Sequence, residues 1–381
     1  MDRYVHIVCH DIPWPVTHGG YFDLFHTIRM LHGADIKIIL HCFHTSRKPA
    51  PIFESLCTEV HYYPRKPHLP LRIPYIVGSR NNQRLWSRLQ QDDHPVLLEG
   101  VHCTYAVYKN ILPPSRAFIR LHNTEHIYYA HLAQYETHPV KKFYFTREAS
   151  LLKRYEADIA HKAVLIAVSE KDRVFFKEKL NAYDVRFLPV LVPFQQIQSK
   201  EGTGLYCLYH GNLSVNENER AVRLLVAHCF KDRNIPLVVA GHAPGKKLAA
   251  FLSRYPNVQL ISNPSETEMN ELIQEAQIHL VPSLNATGVK LKLIHSLFMG
   301  RHCIANTMAV EGMREADLCN VFDDWNDLGT LVDELIHTPF TATDIEERKN
   351  VLPEIYDAEK NISQLITWLF PHYPKPFPPL F

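Results

Sequence analysis

The chain has almost no net charge. Its 41 lysines and arginines against 40 aspartates and glutamates leave +1 over 381 residues, so no overall field argues for nucleic acid or another polyanion as partner. No apolar run approaches the length that crosses a bilayer. The opening MDRYVHIVCHDIP lacks the charged start, long apolar stretch and small-residue cleavage site of a signal peptide, and reads as a first β-strand. The eight cysteines never form CxxC and lie mostly in apolar segments, which suits reduced, buried thiols and a cytoplasmic setting. The 24 histidines follow no metal-ligand spacing, and no metal is expected. There is no GxGxxG, and no acidic residue closes the second strand, IKIILHCFHTS, so a dinucleotide fold is not expected. Low-complexity runs and short-period repeats are absent as well.

What is present is ample material for two cores: 46% hydrophobic and 21% charged residues over a length that favours two domains. Strand-like and helix-like segments alternate from residue 3 to about 190. They pause at the polar, glycine-bearing piece QQIQSKEGTG and restart at LYCLYHG. Such alternation predicts an α/β protein of two doubly wound, Rossmann-like parallel sheets. Boundaries of 1–195 and 196–356 follow, with the C-terminal helix of about 357–381 expected to pack back on the first domain. The tail PHYPKPFPPLF reads as extended packing over a domain surface or as a partner contact, with packing the better fit.

Ligands in open parallel sheets bind beyond the carboxyl ends of the strands, so the loops after strands carry the chemistry. In QIHLVPSLNATGVKLKLIHSLFMGRHCIAN, a strand at 278–281 meets Pro282. A small-residue turn follows, and then a helix predicted from near Val289 to Gly300. The first N–H groups of that helix, its dipole and the charges of Lys290 and Lys292, both expected to be exposed, suit a diphosphate. Lys292, His295 and Ser296 share one face, while Leu291, Ile294, Leu297 and Phe298 form the buried one. The alternative is an ordinary strand–loop–helix unit with a solvated lysine pair. In HDIPWPVTHGGYFDLFHTIRML, Gly19 and Gly20 lead straight into a helix and permit close backbone approach, or form a turn only. The strand FIRL delivers His122, Asn123, Thr124 and Glu125 to a sheet edge, where a histidine beside a glutamate can hydrogen-bond or carry a proton. Ser169 reads as a helix N-cap, and Asp323-Asp324 as turn and cap rather than a metal pair. The basic segment 64–84, with Arg65, Lys66, Arg72, Arg80 and Arg84, is a solvated loop or a peripheral contact with a membrane surface.

The order PWPVTHGG, RLHNTEHIYY, AVSEKD, YHGNLSVNENERAV, VVAG and GVKLKLIHSLFMGRHCI, spanning nearly the whole chain, resembles the glycosyltransferases of GT-B fold, close to retaining family 4 (group 1). That resemblance implies two Rossmann-like domains facing each other across a cleft. The first would hold a glycan or lipid-linked acceptor, on the side of Asn123 and Glu125. The second would hold a nucleotide-sugar donor. By the same resemblance Gly19, Gly20, Gly211, Asn212, Asn285, Ala286, Thr287, Gly288 and Val289 approach the diphosphate, and His295 and Gly241 approach the ribose or nucleoside. Lys290 and Lys292 neutralise the leaving group without a metal, and His122 lies by the sugar or acceptor hydroxyl. No cofactor beyond the nucleotide-sugar substrate and no nucleic acid are implied. The expected setting is cytoplasmic or peripheral at the inner face of the membrane, in surface polysaccharide or glycoconjugate synthesis.

One departure stands out. The two glutamates that this family places eight positions apart are here Thr287 and His295, and a histidine offers a ribose one hydrogen bond rather than a bidentate carboxylate. A catalytically degenerate GT-B protein serving as a binding partner or scaffold therefore stays open. So does a nucleotide-sugar epimerase of the same fold.

Overall fold

The computed structural model of the chain describes residues 2–16, 19–68 and 72–371. Thr17 and His18, part of the basic segment (69–71) and the tail from 372 lie outside the described residues. The chain forms two compact units. One comprises residues 1–193, 287–289 and 358–381, and the other residues 194–286 and 290–357.

The first unit is built on seven strands: β1 (Arg3–Cys9), β2 (Ile36–His44), β3 (Glu59–Pro64), β4 (Val96–Glu99), β5 (Ala117–Leu121), β6 (Val164–Ala167) and β7 (Asp184–Phe187). They pair in parallel in the order β3-β2-β1-β4-β5-β6-β7. Central strands β4 and β5 are buried at every residue, as a sheet covered by helices on both faces requires. β7 escaped the sequence reading because it is an edge strand, DVRF, half-buried throughout and half charged. The helix Glu125–Tyr135 escaped it too. Only Glu125 and Ala133 are buried along it, which leaves no apolar stripe to read. The closing helix Ala358–Leu369 sends Ile362, Leu365, Ile366 and Leu369 into the core that holds Leu24, Ile28 and Leu31 of the helix Gly19–Gly33.

The second unit has six parallel strands: β8 (Cys207–Asn212), β9 (Leu237–His242), β10 (Val258–Ser262), β11 (Ile278–Val281), β12 (His302–Asn306) and β13 (Asn320–Phe322). Their order is β10-β9-β8-β11-β12-β13. Both sheets reverse direction of winding once, between β1 and β4 and between β8 and β11. At such a point neighbouring crossovers leave on opposite faces and open a crevice beyond the strand ends. The reversal, more than any single motif, fixes where each unit can bind a ligand.

Candidate functional site

In the second unit, β11 is buried at all four residues and hands the chain to a loop held by side-chain amides. The Ser283 N–H donates to Asn306 Oδ1 at 2.9 Å, and Asn306 Nδ2 donates back to the Ser283 carbonyl at 2.8 Å. Glu217, in the first turn of the helix Asn216–Leu225, accepts from Asn285 Nδ2 at 2.5 Å and from Leu284 N–H and Ser283 Oγ at 3.3 Å each. Gly288 turns the chain at φ +66°, a left-handed conformation that costs glycine least. The helix then runs Leu291–Met299, starting two residues later than the sequence suggests, with Lys290 as the capping residue and no side-chain cap. No side chain therefore caps its first-turn donors.

The two lysines differ from the exposed pair expected. Lys290 Nζ donates to Asn285 Oδ1 at 3.0 Å. Lys292 lies over the ring of buried Tyr209, its Nζ 4.5 Å from the ring centroid and 3.3 Å from the hydroxyl. Burial, then the neighbouring Lys290 charge, pull the Lys292 ammonium down from 10.5 to about 7, against an opposing pull from Glu217. A lysine so placed is a cation short of compensation, and an anion beside it would restore its charge.

The remaining faces of the helix also shift. Leu291 is only partly buried, while Leu293, Ser296 and Met299 join the core. Ser296 bonds its own helix at the Lys292 carbonyl (2.9 Å) and lies 3.3 Å from His210 Nε2. His295 stacks on Phe194 with centroids 4.9 Å apart, and its Nε2 meets Asn270 Oδ1 at 3.1 Å. Burial lowers its pKa to about 4, so the ring is neutral at physiological pH. The helix ends at Gly300, where the backbone turns extended and only glycine fits, since a Cβ there would stand 2.0 Å from His279 Nε2. At this end the buried Arg348 guanidinium donates to the carbonyls of Leu297 (3.0 Å), Gly300 (2.5 Å) and Arg301, placing a cation on the negative end of the dipole. Two other sequence-derived positions have local explanations. A Cβ on Gly241 would lie 1.8 Å from the Gly211 carbonyl oxygen, so close strand approach requires glycine there. Asn212 Oδ1 accepts from Ser214 N–H and Oγ, closing a turn.

The first unit assembles a different group. His122 follows β5 and is nearly buried. Its Nε2 donates to Glu99 Oε2 at 2.9 Å, and its Nδ1 faces Asp23 Oδ2 at 3.8 Å. The glutamate beside it is thus Glu99, from the adjacent strand β4, and not its sequence neighbour Glu125. Asp23 in turn is gripped by the Arg120 fork at 3.0 and 3.1 Å and accepts the Leu191 N–H at 2.7 Å. Burial alone would raise the Asp23 carboxyl; Arg120 above all, then His122 and the Leu191 N–H, outweigh it and hold the group below its ordinary value. Arg120 spends its other donors on the carbonyls of Leu188 and Pro189.

Glu125 sinks beneath the surface at 4% exposure. Its backbone N–H and that of His126 donate to the Glu156 carboxylate at 2.7 and 3.2 Å, so a residue 31 positions away caps this helix. Burial, then the Glu156 and Asp172 charges, raise the Glu125 carboxyl to about 8, against an opposing Asn123 hydrogen bond. It is therefore mostly protonated at neutral pH. Asp172 binds Thr124 Oγ1 and Ser169 Oγ at 2.6 Å each and donates its N–H to Ser169 as cap. Gly19 and Gly20 open the helix Gly19–Gly33. In the basic segment, Arg80 is 3% exposed and donates to the His10 carbonyl at 2.9 Å and to that of Ile76, so it is core rather than surface.

Sequence reasoning missed Glu99, Asp23, Arg120, Glu156 and Glu217. Three of these carried a signal: Glu99 ends VLLE, Arg120 interrupts AFIRL, and Asp23 falls on the apolar face of its helix. A charge in a buried element demands a partner.

Residues 204–337 match the family model described as glycosyl transferases group 1. An uncharacterized 44.6 kDa protein in the cps region of Klebsiella pneumoniae is 26% identical over 330 residues, covering 80% of this chain and 83% of that protein. The structure of a variant of S. aureus TarM in complex with fondaparinux, alpha-GlcNAc-glycerol and UDP superposes with a TM-score of 0.65 at 10% identity, covering 97% of this chain and all of that one. Anabaena HepE in complex with UDP and glucose gives a TM-score of 0.65 at 10% identity, over 97% of this chain and 99% of that one. Two parallel Rossmann-like sheets and the structural similarities give the chain a GT-B fold, whose residues 204–337 match the group 1 glycosyltransferase family model.

Proposed function

We propose that the protein transfers a sugar from a nucleotide-diphosphate sugar to a glycan or lipid-linked acceptor, with retention at the anomeric carbon. The observation that carries this reading is Lys292, half-neutralised over Tyr209 in the first turn of a helix without a side-chain cap, with Lys290 as its capping residue. Departure of a nucleoside diphosphate builds negative charge, and prearranged N–H and ammonium groups stabilise it more in the transition state than in the ground state. The donor would lie on the second unit, its diphosphate along residues 285–289 and near Gly211 and Asn212. Its nucleoside would lie toward Gly241 and His295. Lysines supply the charge that a divalent cation would otherwise bring, so the reaction needs no metal. On the first unit, His122, oriented by Glu99, would act at the sugar or the acceptor hydroxyl, with Asn123 and Glu125 on the acceptor side. The cps location of the relative supports a role in polysaccharide synthesis, and we place the work at the cytoplasmic side.

The engagement of His295 with Asn270 and Phe194 also favours a second reading, a GT-B scaffold without turnover. A thermal-shift panel of UDP, GDP, ADP, CMP and dTDP separates the two. A shift with one nucleotide supports the donor site, since a ligand at about a hundred times its Kd stabilises by roughly 2.7 kcal/mol. No shift with any, in a cooperatively melting sample, moves the scaffold reading ahead.

A further inference from the structure

Three histidines lie in file across the β1–β2–β3 edge of the first sheet, and none takes part in the proposed transfer. The rings of His6 (β1), His41 (β2) and His61 (β3) are stacked, with centroids 5.1 Å apart from His6 to His41 and 5.3 Å from His41 to His61. Strand register explains the file. His41 and His61 are Cα partners, and His41 pairs with Val8, two residues on from His6, so all three side chains stand on one face. That face otherwise carries Val8, Phe43 and Leu98 of an apolar core. Within it His41 has no exposed surface and His6 is 2% exposed.

Buried ring nitrogens need partners, and here the hydrogen bonds run in one direction. The two oxygens of Asp92 lie 3.1 and 3.0 Å from His6 Nε2, and Oδ1 also accepts the His94 N–H and an Arg116 N–H. Burial alone would raise the Asp92 carboxyl; the His94 N–H and then His6 outweigh it and hold the group below its ordinary value, an acceptor only. His6 Nε2 therefore carries the hydrogen, and Nδ1 of the neutral ring is left to accept. It accepts from His41 Nε2 at 2.9 Å, which leaves His41 Nδ1 to accept the Tyr63 hydroxyl at 3.0 Å. The chain Tyr63–His41–His6–Asp92 thus ties β3, β2 and β1 to the segment that follows the helix Gln83–Leu89.

An added proton cannot enter this chain without displacing a bond. On His6 Nδ1 it would meet the hydrogen of His41 Nε2, and on His41 Nδ1 it would meet the hydrogen of the Tyr63 hydroxyl. Surrounding charge opposes it as well. His41 faces His61 and Arg88, and His6 faces His94 and Arg116; Asp92 is the acid in contact with the chain, while Glu59 bonds His61 at its outer end. Burial first, then His6, His61 and Arg88, hold His41 well below the ordinary histidine value, and burial lowers His6 against the pull of Asp92. We propose that Tyr63–His41–His6–Asp92 is an acid-sensitive lock: closed, it fastens residues 83–95 to the β1–β2–β3 edge, and protons taken up by the opened histidines keep that layer apart. The lock belongs to the first unit alone and rests on neither the donor site nor the transferase reading.

A histidine that is neutral when closed and titrates near 6.5 when free favours the closed form fully above pH 6.5 and progressively less below it. Each such ring makes opening about tenfold easier at pH 5.5 than at pH 7.5. The test is hydrogen exchange of the full chain without nucleotide, read by mass spectrometry as protection factors so that the intrinsic pH dependence of exchange drops out. Protection of residues 36–44, 59–64 and 83–95 should fall by at least about tenfold from pH 7.5 to 5.5, and a smaller fall overturns the proposal. His41→Gln, whose amide can accept from Tyr63 and donate to His6 without titrating, should recover about tenfold of the loss. A fall as large in the folded variant as in the parent also overturns the lock, and assigns the acid response to other histidines that burial holds neutral, such as His102 and His279. Should the variant not fold, nitrogen NMR of the histidine-labelled parent decides. His41 Nδ1 should carry no hydrogen at either pH, and a hydrogen there in the folded protein sinks the proposal. None of these outcomes bears on the nucleotide shifts that test the transferase reading.

Discussion

The two sheets reverse at equivalent points in their strand order, yet the residues beyond those points have opposite chemistry. Around β1, β4 and β5 the first unit collects buried carboxylates and answers three of them within the fold: Asp23 with Arg120, Glu99 with His122, Glu156 with two N–H groups and His126. Beyond β8 and β11 the second unit collects cations and helix N–H groups, and its acid, Glu217, is used to hold the loop. On the proposed reading, one surface positions a hydroxyl near a histidine and the other receives negative charge. A shared topology supplies the two locations, and a few charged residues decide what each location binds.

The strongest way to break this contrast is Asp23→Ala. It leaves Arg120 buried without its carboxylate and should cost about 3–5 kcal/mol of stability, read from urea unfolding. A loss below about 1 kcal/mol would mean that water reaches the pair. Next, His122→Ala should lower turnover by about a hundredfold while nucleotide affinity, followed by calorimetry, holds. A loss confined to donor affinity would transfer His122 to the binding role. Third, Lys292→Met should weaken nucleotide-diphosphate binding by about tenfold or more and yet raise the melting temperature. The unfolded lysine titrates near 10.5 and the folded one near 7, so the wild-type fold loses stability as pH falls from 10 to 7. The gain from the substitution should be largest at or below pH 7. Lys290→Ala should weaken binding with little change in stability, and unchanged affinity in both variants would remove the diphosphate from this helix.

The smallest effects are in pH dependence. Donor affinity should decline as pH rises from 7 toward 9, as free Lys292 loses its proton. Glu125 titrates the other way. Its folded pKa, about 8, lies above the ordinary 4.5, so its contribution to stability is complete below 4.5 and is lost as pH rises through 8. Glu125→Gln should therefore raise the melting temperature more at pH 8 than at pH 5, and the reverse order would show the carboxyl to be hydrated.

Much of the fold was legible because its strands are buried and apolar, and because the alternation with helices stops and restarts near residue 200. The turn between β11 and the helix Leu291–Met299 was legible too, since Pro282 and Gly288 are local signals. Partners distant in sequence were not. His122 pairs with Glu99, 23 residues earlier, and Glu125 is capped by Glu156, 31 residues later. Periodicity reports which face of an element is buried, but the identity of a buried charge's partner depends on strand order. The depth of Lys292 was misread for the same reason, because Tyr209 comes from β8.

The helix Leu291–Met299 has one further property. Arg348 fastens its last carbonyls within the fold, while its first N–H groups have no side-chain cap. Backbone hydrogens in its final turn should thus exchange slowly with solvent at all times, and those of Leu291 and Lys292 at its start should slow only if a phosphate binds there as proposed. Occupancy of the proposed donor site would then be recorded in the exchange rates of Leu291 and Lys292, residue by residue, even under conditions where no sugar is transferred.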